Sequence, residues 1–460
     1  MKRYAEYKDS SIEWIGDIPM HWNRQPLKFI CNIQGRVGYK GYTVSDLVSE
    51  GEGPYTLGAK HISKNNELDL SKPEFISWDK YYESPEIMVQ TGDLLLTQRG
   101  TLGKVAIVEK EIGEATINPS MVLLNKLSCM TKYLYYFFNS DYFVKWIDLT
   151  NTATAVPMIS QEQLGNFNVL LPPHPEQTQI AQYLDHKTSQ IDKLITDKEK
   201  LIELLNEERT AIINQAVTKG LNPDAPMKDS GIEWLGEVPA HWGQSKVKYL
   251  ANIIGRIGFR GYTVQDLVEK GEGAISLSPS NIKNHILNLD ECTYLSWEKY
   301  EESPEIKIYE NDIVVVKTGS TIGKVALVPV NPSKITLNPQ LVVLKDVKLV
   351  PKFLYLLMTS IYFQSYFKIY TAGGSTPAIS QEKINNFKIV FPDEKEQNEI
   401  VKHVDSVMVK FEAITIKLHQ EIQLLKEYKT ALISEVVTGK VDVREECIIK
   451  SAALSNVQIA

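Results

Sequence analysis

The chain has 460 residues and a net charge of −7, with 43% hydrophobic and 23% charged residues, an ordinary balance for a globular protein of about three domains at roughly 150 residues each. Cys31, Cys129, Cys292 and Cys447 are far apart and form no Cys-x-x-Cys pair. This spacing excludes a disulfide framework or a cysteine-based zinc site and fits a reducing cytoplasm. No apolar run approaches the ~20 residues of a membrane helix, and the polar stretch Met1–Ser11 argues against a signal peptide. The acidic balance lowers the expectation of nucleic-acid binding without removing it, because binding needs only a local basic surface.

The chain is written twice. Ser10-Ser-Ile-Glu-Trp14-Ile-Gly16 returns as Ser230-Gly-Ile-Glu-Trp234-Leu-Gly236, and Pro19-Met-His21-Trp22 returns as Pro239-Ala-His241-Trp242. Between residues 10–44 and 230–264, 18 of 35 aligned positions are identical at a constant offset of 220. The register slips by one at Trp78/Trp297 and recovers at Gly103-Lys104/Gly323-Lys324. Later anchors are Asn118-Pro119/Asn338-Pro339, Ile159-Ser-Gln-Glu162/Ile379-Ser-Gln-Glu382 and Glu176-Gln177/Glu396-Gln397. Two copies make a pseudo-dimer in one polypeptide rather than a solenoid.

Each copy opens with about 150 residues rich in β signals. Asp93-Leu-Leu-Leu-Thr97 and Asp312-Ile-Val-Val-Val316 are short apolar runs between turn residues. Leu134–Phe138 and Phe353–Leu357 have the character of helix starts, so the fold class is mixed α/β. A long helix follows in each copy, entered through Pro172-Pro173-His174-Pro175-Glu176 or Pro392-Asp393-Glu394, with stops near Gly220 and Gly439. Ile191, Lys198, Leu205 and Ile212 are seven apart, as are Phe411, Leu418, Leu425 and Leu432; a second seam holds Ile195 and Ile202 against Ile422. A helix of that length, roughly 65 Å at ~1.5 Å per residue, needs a partner along its apolar stripe. The two copies supply one another, running antiparallel as a coiled coil. The expected organisation is therefore a first globular domain over 1–175, a helix over 176–220, a second globular domain over 221–392, a helix over 393–440 and a tail over 441–460.

No catalytic constellation stands out. Gly100-Thr-Leu-Gly-Lys104-Val and Gly319-Ser-Thr-Ile-Gly-Lys324-Val lack the P-loop spacing, and Val stands where a magnesium-binding hydroxyl should follow the lysine. As turns offering backbone N–H groups and one cation, they still suit a phosphate. Pro392-Asp-Glu-Lys395 has the letters of a nuclease motif, but acids at a helix start are structural. The eight histidines form no metal pattern; His21 and His241, each between proline and tryptophan, suggest packing.

The order of these features resembles the specificity subunit of type I restriction–modification systems, over residues 1 to about 440. The resemblance is carried by the block around Trp14 and Pro19-x-His21-Trp22, by Gly35-Arg36-x-Gly38-Tyr39-Lys40-Gly41, Gly92-Asp93, Gly103-Lys104 and Ile159-Ser160-Gln161, and by Pro172-Pro173-x-x-Glu176-Gln177, each with a match in the second copy. It implies a non-catalytic protein with two tandem target-recognition domains, each reading half of a bipartite site on double-stranded DNA. Two long helices would act as a ruler between them and dock two adenine-N6 methyltransferase subunits and, through those, two ATP-dependent motor/nuclease subunits. S-adenosylmethionine, ATP and Mg²⁺ would belong to those partners, with no cofactor on this chain. The alternatives are a scaffold that binds no DNA and a divergent ATPase or nuclease.

The residues give their own support for DNA contact. Arg36, Tyr39, Lys40, Tyr42 and Thr43 lie among three glycines, and Arg256, Phe259, Arg260, Tyr262 and Thr263 repeat the pattern. Glycine permits close approach, and cations and hydroxyls suit phosphates and base edges. Where half-sites differ, base readers should differ between copies. Lys60 and His61 face Ser280 and Asn281, Gln98 and Arg99 face Lys317 and Thr318, and the loops at 152–155 and 371–375 also diverge. Lys104 and Lys324 complete the expected set as phosphate contacts.

Overall fold

The computed structural model describes residues 2–36, 38–151, 157–329, 333–371 and 377–446, with Tyr39 and Phe259 by backbone alone. The chain divides into two compact units. The first comprises Met1–Lys198 with His419–Ala460, and the second comprises Glu199–Leu418. Each unit therefore holds one globular α/β domain and a stretch of each long helix.

In the first unit a central antiparallel sheet has the spatial order Asn32–Gly35, Met121–Asn125, Leu94–Thr97, Val105–Ile107. A second sheet runs Ala115–Ile117, Tyr55–Leu57, Phe75–Ile76, Leu47–Val48, with its first pair parallel. The second unit repeats both sheets with Asn252–Gly255, Leu341–Lys345, Ile313–Val316 and Val325–Leu327, and with Ile335–Leu337, Gly273–Leu277, Thr293–Ser296 and Leu267–Val268.

The uniform apolar runs are explained by burial on both faces. In the second unit Ile313, Val315, Val342 and Leu344 point into one core, shared with Phe353, Phe363 and Phe387, while Val314, Val316, Leu341 and Val343 point into another, shared with Leu277, Ile335 and Leu337. Side chains of a strand alternate between faces, so a strand covered on both sides has no polar position to show. The helices expected around 134–138 and 353–357 are Thr131–Phe138 and Pro351–Thr359, each followed by a second helix, Asp141–Thr150 or Ile361–Thr371. In the first unit these helices close over the sheet through a ring cluster of Phe137, Phe138 and Phe143 around Phe167.

The long helices are His174–Lys219 and Glu394–Val437. The first starts two residues earlier than Glu176, because proline is well placed in a first turn, where its missing N–H is not needed. In the second, the Asp393 carboxylate accepts from Glu396 N at 2.9 Å. Both helices end where a glycine takes positive φ, +75° at Gly220 and +73° at Gly439. At the second end Lys440 N donates to Glu435 O (2.8 Å) and Gly439 N donates to Val436 O (3.2 Å), a Schellman closure.

The helices pack antiparallel. In the first unit Ile191, Ile195, Leu418's neighbour Ile422, and Leu432 are buried, and Lys198 meets Glu421 at 2.6 Å while Lys429 meets Asp192 at 2.7 Å. In the second unit Leu418 is buried and Ile202, Leu205, Ile212 and Phe411 are half-buried, with Arg209 Nε donating to Met408 Sδ. Leu425, in the first unit, is also half-buried. Lys198 occupies a heptad position yet stays polar, because Glu421 meets its ammonium.

The entry block is fixed to the helix start. Glu176, 5% exposed, accepts from Tyr4 Oη (2.6 Å) and Trp22 Nε1 (3.1 Å) and lies 2.7 Å from His21 Nε2. Glu396 repeats this with Trp242 (3.2 Å) and His241 (2.7 Å). The repeated Pro-x-His-Trp segment is thus the clamp between each domain and its helix. The described part of the tail, 441–446, is not free. Val441 and Val443 are buried, and Asp442 N donates to Lys2 O.

Leu432 is 1% exposed, whereas the Lys429–Asp192 pair is partly solvated. Leu432→Ala is expected to cost about 2–4 kcal/mol, and Lys429→Ala no more than about 1 kcal/mol. Urea unfolding of the full chain, followed by helix signal, separates the two.

Candidate nucleic-acid interface

Most of the loops singled out by their chemistry come together within each unit. In the first, Lys104 Nζ donates to Ile62 O at 3.0 Å, tying the Gly100–Lys104 turn to the loop after Tyr55–Leu57. Gln98 Nε2 donates to Pro119 O and Met121 O, both at 3.2 Å. Arg99 bridges to Met158, and Gly100 N donates to Pro157 O. Gly35 approaches Gln161 so closely that a Cβ there would lie 2.6 Å from the Gln161 amide nitrogen. One cluster of loops, from residues 35, 57–62, 97–104, 118–121 and 157–161, therefore meets at one edge of the sheets.

The second unit builds the same edge. Lys324 Nζ reaches Ile282 O at 3.4 Å, Thr318 bridges to Ala378, and a Cβ on Gly255 would stand 2.6 Å from Gln381 Nε2. The two bridges fix the alignment of the diverged loop. Gln98 corresponds to Lys317, Arg99 to Thr318 and Gly100 to Gly319, so the extra residue of the second copy lies in the stretch 320–322.

Arg36 and Arg256 serve the interior. Arg36, 5% exposed, donates from Nε to Ile117 O (3.1 Å), from Nη2 to Thr116 Oγ1 (3.0 Å) and from Nη1 to Lys40 O (3.4 Å). Arg256 makes the same three bonds to Leu337 O, Thr336 Oγ1 and Arg260 O. Tyr42 and Tyr262 lie against these guanidinium groups at 5.4 and 5.3 Å. Burial pulls both arginine pKa values below the ordinary value. Both groups pin the glycine-flanked loop to the parallel strand pair, three donors each, where sequence alone made them candidates for a ligand.

The other residues of that loop are also engaged. Tyr42 Oη bonds Thr56 Oγ1, and Ser276 Oγ donates to Tyr262 Oη. Lys40 pairs with Glu86 and Arg260 with Glu305. Thr43 and Thr263 are exposed at the start of single 3₁₀ turns, where their backbone N–H groups donate to Asp46 and Asp266 at 2.7 Å. The side chains of Tyr39 and Phe259, and the diverged loop residues 152–155 and 372–375, lie outside the described residues.

His61 and Asn281 differ in letter but not in task. His61, 2% exposed, accepts at Nδ1 from Gly58 N (2.9 Å), and its Nε2–H donates to Lys72 O (3.2 Å) in the tautomer that this pattern requires. Asn281, 3% exposed, accepts at Oδ1 from Ser278 N (3.0 Å) and donates to Glu291 O (2.9 Å). Both close the same turn across the same gap, and burial pushes the His61 pKa down, favouring the neutral ring this needs. Beside them Lys60 is exposed and paired with Glu74, and Ser280 Oγ bonds Ser278 Oγ. Arg99 remains exposed, with Met158 Sδ as a contact of its guanidinium. Lys317 has no side-chain polar partner among the described residues.

Sequence reasoning missed one part of this edge. The turns Asn118-Pro119-Ser120 and Asn338-Pro339-Gln340 stand among these loops, and the signal was available: the turns match except at their third residue.

This duplicated, loop-presenting architecture agrees with the similarities of the chain. The type I restriction modification DNA specificity domain matches residues 53–204 and 261–424, more than half of the chain and once in each copy. The chain belongs to that family. It is a type I restriction–modification specificity subunit, a DNA-binding and non-catalytic component of such a system. Among its relatives, the MjaVIII specificity subunit of Methanocaldococcus jannaschii is 25% identical over 78% of this chain and 81% of its own. The MjaX specificity subunit of the same organism, described as putative, is 26% identical over 95% of this chain and 98% of its own. A chain from a solved structure of type I restriction–modification complex assembly and conformational transition superposes with a TM-score of 0.67, at 13% identity, covering 92% of this chain and 99% of that one. Among the described residues no group of His, Cys, Asp and Glu could hold a metal ion, and no helix is long and apolar enough to cross a membrane.

The equivalence of His61 and Asn281 can be checked directly. His61→Asn should leave stability within about 0.5 kcal/mol of the parent, whereas His61→Ala leaves buried backbone groups unpaired and should cost about 1–3 kcal/mol. Equal losses in urea titrations would show that the two turns are not interchangeable.

Proposed function

We propose that this chain reads a bipartite DNA target, one half-site per unit, and docks two adenine-N6 methyltransferase subunits, which in turn recruit ATP-dependent motor/nuclease subunits. The carrying observation is that two units share one buried hydrogen-bond frame while differing in the polar groups their loops display. A shared frame places phosphate contacts alike, and differing displayed groups can address different bases. Lys40, Tyr42, Thr43, Lys60, Gln98, Arg99 and Lys104 in the first unit, and Arg260, Tyr262, Thr263, Ser280, Lys317, Thr318 and Lys324 in the second, lie on or beside the contact edge. Arg36, Arg256, His61 and Asn281 act behind it as supports. S-adenosylmethionine, ATP and Mg²⁺ are assigned to the partners. The functional division into recognition domains and helices follows the boundaries read from the sequence, at 175, 220, 392 and 440.

The docking part of the proposal rests on exposed apolar residues at equivalent helix positions. The first unit presents Leu194 (49% exposed) and Leu424 (62%), and the second presents Ile414 (46%) and Leu204 (48%). Residues 194 and 414 correspond in the repeat, as do 204 and 424. Each unit thus offers the same pair to solvent, which suits two copies of one partner.

Native mass spectrometry of the chain co-expressed with its methyltransferase is expected to show two methyltransferase subunits per chain. Leu194→Lys with Leu424→Lys should reduce that to one. A parent complex carrying a single methyltransferase, or a doubly substituted chain that still carries two, would count against these docking sites.

A further inference from the structure

Among the described residues, the two units differ in what they can offer a ligand at one pair of neighbouring positions, Gln98 with Ser120 against Lys317 with Gln340. In the first unit Ser120 is spent internally. Its N–H donates to Asn118 Oδ1 (2.9 Å), and its hydroxyl donates to the same oxygen (2.5 Å) and accepts from Ala59 N (3.3 Å). Its carbonyl accepts from Gln98 N (2.9 Å), and the Gln98 carboxamide nitrogen is turned onto Pro119 O and Met121 O.

The second unit keeps this backbone and changes the side chains. Gln340 N donates to Asn338 Oδ1 (2.9 Å), and Lys317 N donates to Gln340 O (2.9 Å), the counterparts of the Ser120 and Gln98 bonds. Gln340 is exposed. Its Oε1 accepts from Asn338 Nδ2 at 3.3 Å, and its amide nitrogen has no hydrogen-bond partner among the described residues. Lys317, joined to Gln340 through the backbone bond, has an ammonium that is likewise without a polar partner among the described residues. Gln340 and Lys317 are thus neighbours through their backbones, and each carries a polar group without a partner among the described residues, where the first unit presents a tied hydroxyl and a folded-back glutamine.

We propose that Gln340 and Lys317 form a base-reading pair that distinguishes the second half-site from the first, a step that rests on the proposed DNA-reading role of this edge. A carboxamide offers a donor and an acceptor at the spacing of adenine N6 and N7, and an ammonium suits guanine O6 and N7. The pair therefore selects adjoining purines in the major groove of the second half-site. The first unit, with Ser120 and Gln98 spent, makes no equivalent selection at those positions. In the loop at 57–61 and 277–281, His61 and Asn281 do one structural task in both units and are left out of the pair.

The test maps methylated adenines in cells that express the full chain with its methyltransferase. Gln340→Ala should relax the second half-site at one base pair, lowering discrimination there roughly ten- to hundredfold, and Lys317→Ala should relax its neighbour. The first half-site should be unchanged in both. In the opposite direction, Ser120→Gln should add a preference at the matching base pair of the first half-site. Both positions of the second unit are at the surface, so thermal melts of these variants should match the parent. A Gln340→Ala methylome with the parental second half-site would overturn the assignment while leaving the specificity-subunit reading intact. So would a uniform fall in methylation with both half-sites unaltered, which would make Gln340 a contact without base preference. Absence of chain-dependent methylation with the unaltered chain would instead remove the DNA-reading role on which the inference rests.

Discussion

Every displayed difference between the two units has to be carried by one buried frame, and its central member is a desolvated arginine. Arg36 and Arg256 each give three hydrogen bonds inward, to a carbonyl and a hydroxyl on the parallel strand and to a carbonyl of their own loop. An unpaired buried guanidinium would be costly, so the loop has to close over the sheet where those acceptors lie. That closure brings Gly35 and Gly255 against Gln161 and Gln381 and sets the place of the loops around them. The frame is polar, with all three guanidinium nitrogens of each arginine bonded, and such networks specify one arrangement more sharply than apolar contact does.

Around this frame the protein separates two tasks. Backbone geometry is held by groups that recur, such as Asn118 and Asn338, the glycines of the two Gly-Lys turns, and the lysines that reach Ile62 O and Ile282 O. The side chains that differ stand on backbone that is already fixed. The serine and the glutamine at the third position of the two Asn-Pro turns display different groups on turns that keep the same backbone bonds. The same division is repeated in both units of the chain.

Much of this was legible in the sequence. The duplication, the apolar strands, the aromatic helices and the paired long helices all follow from repeat spacing and apolar pattern, while the burial of those strands on both faces is seen only in the fold. The glycine stops at 220 and 439 have the expected left-handed backbone. The limits of legibility have a common cause, which is partners distant in sequence. Arg36 among glycines has the look of a ligand-binding cation, because its acceptors lie about 80 residues away. His61 and Asn281 look like a diverged contact, because sequence cannot show an imidazole and a carboxamide spanning the same gap. Gln340 was overlooked for the converse reason. Its neighbours Asn338 and Pro339 were visible as repeat anchors, but only the fold shows that the residue after them faces solvent among the other loops.

The central claim is that two units, each built on its own copy of the same frame, read two halves of one DNA site. Long-read sequencing that detects methylated adenine, applied to cells with and without the gene for this chain, tests it most directly. The account predicts a bipartite motif, two defined half-sites around an undefined spacer, whose halves are close to inverted repeats and whose methylation disappears when the gene is removed. An unchanged methylome, or loss of methylation at a single continuous motif, would contradict it.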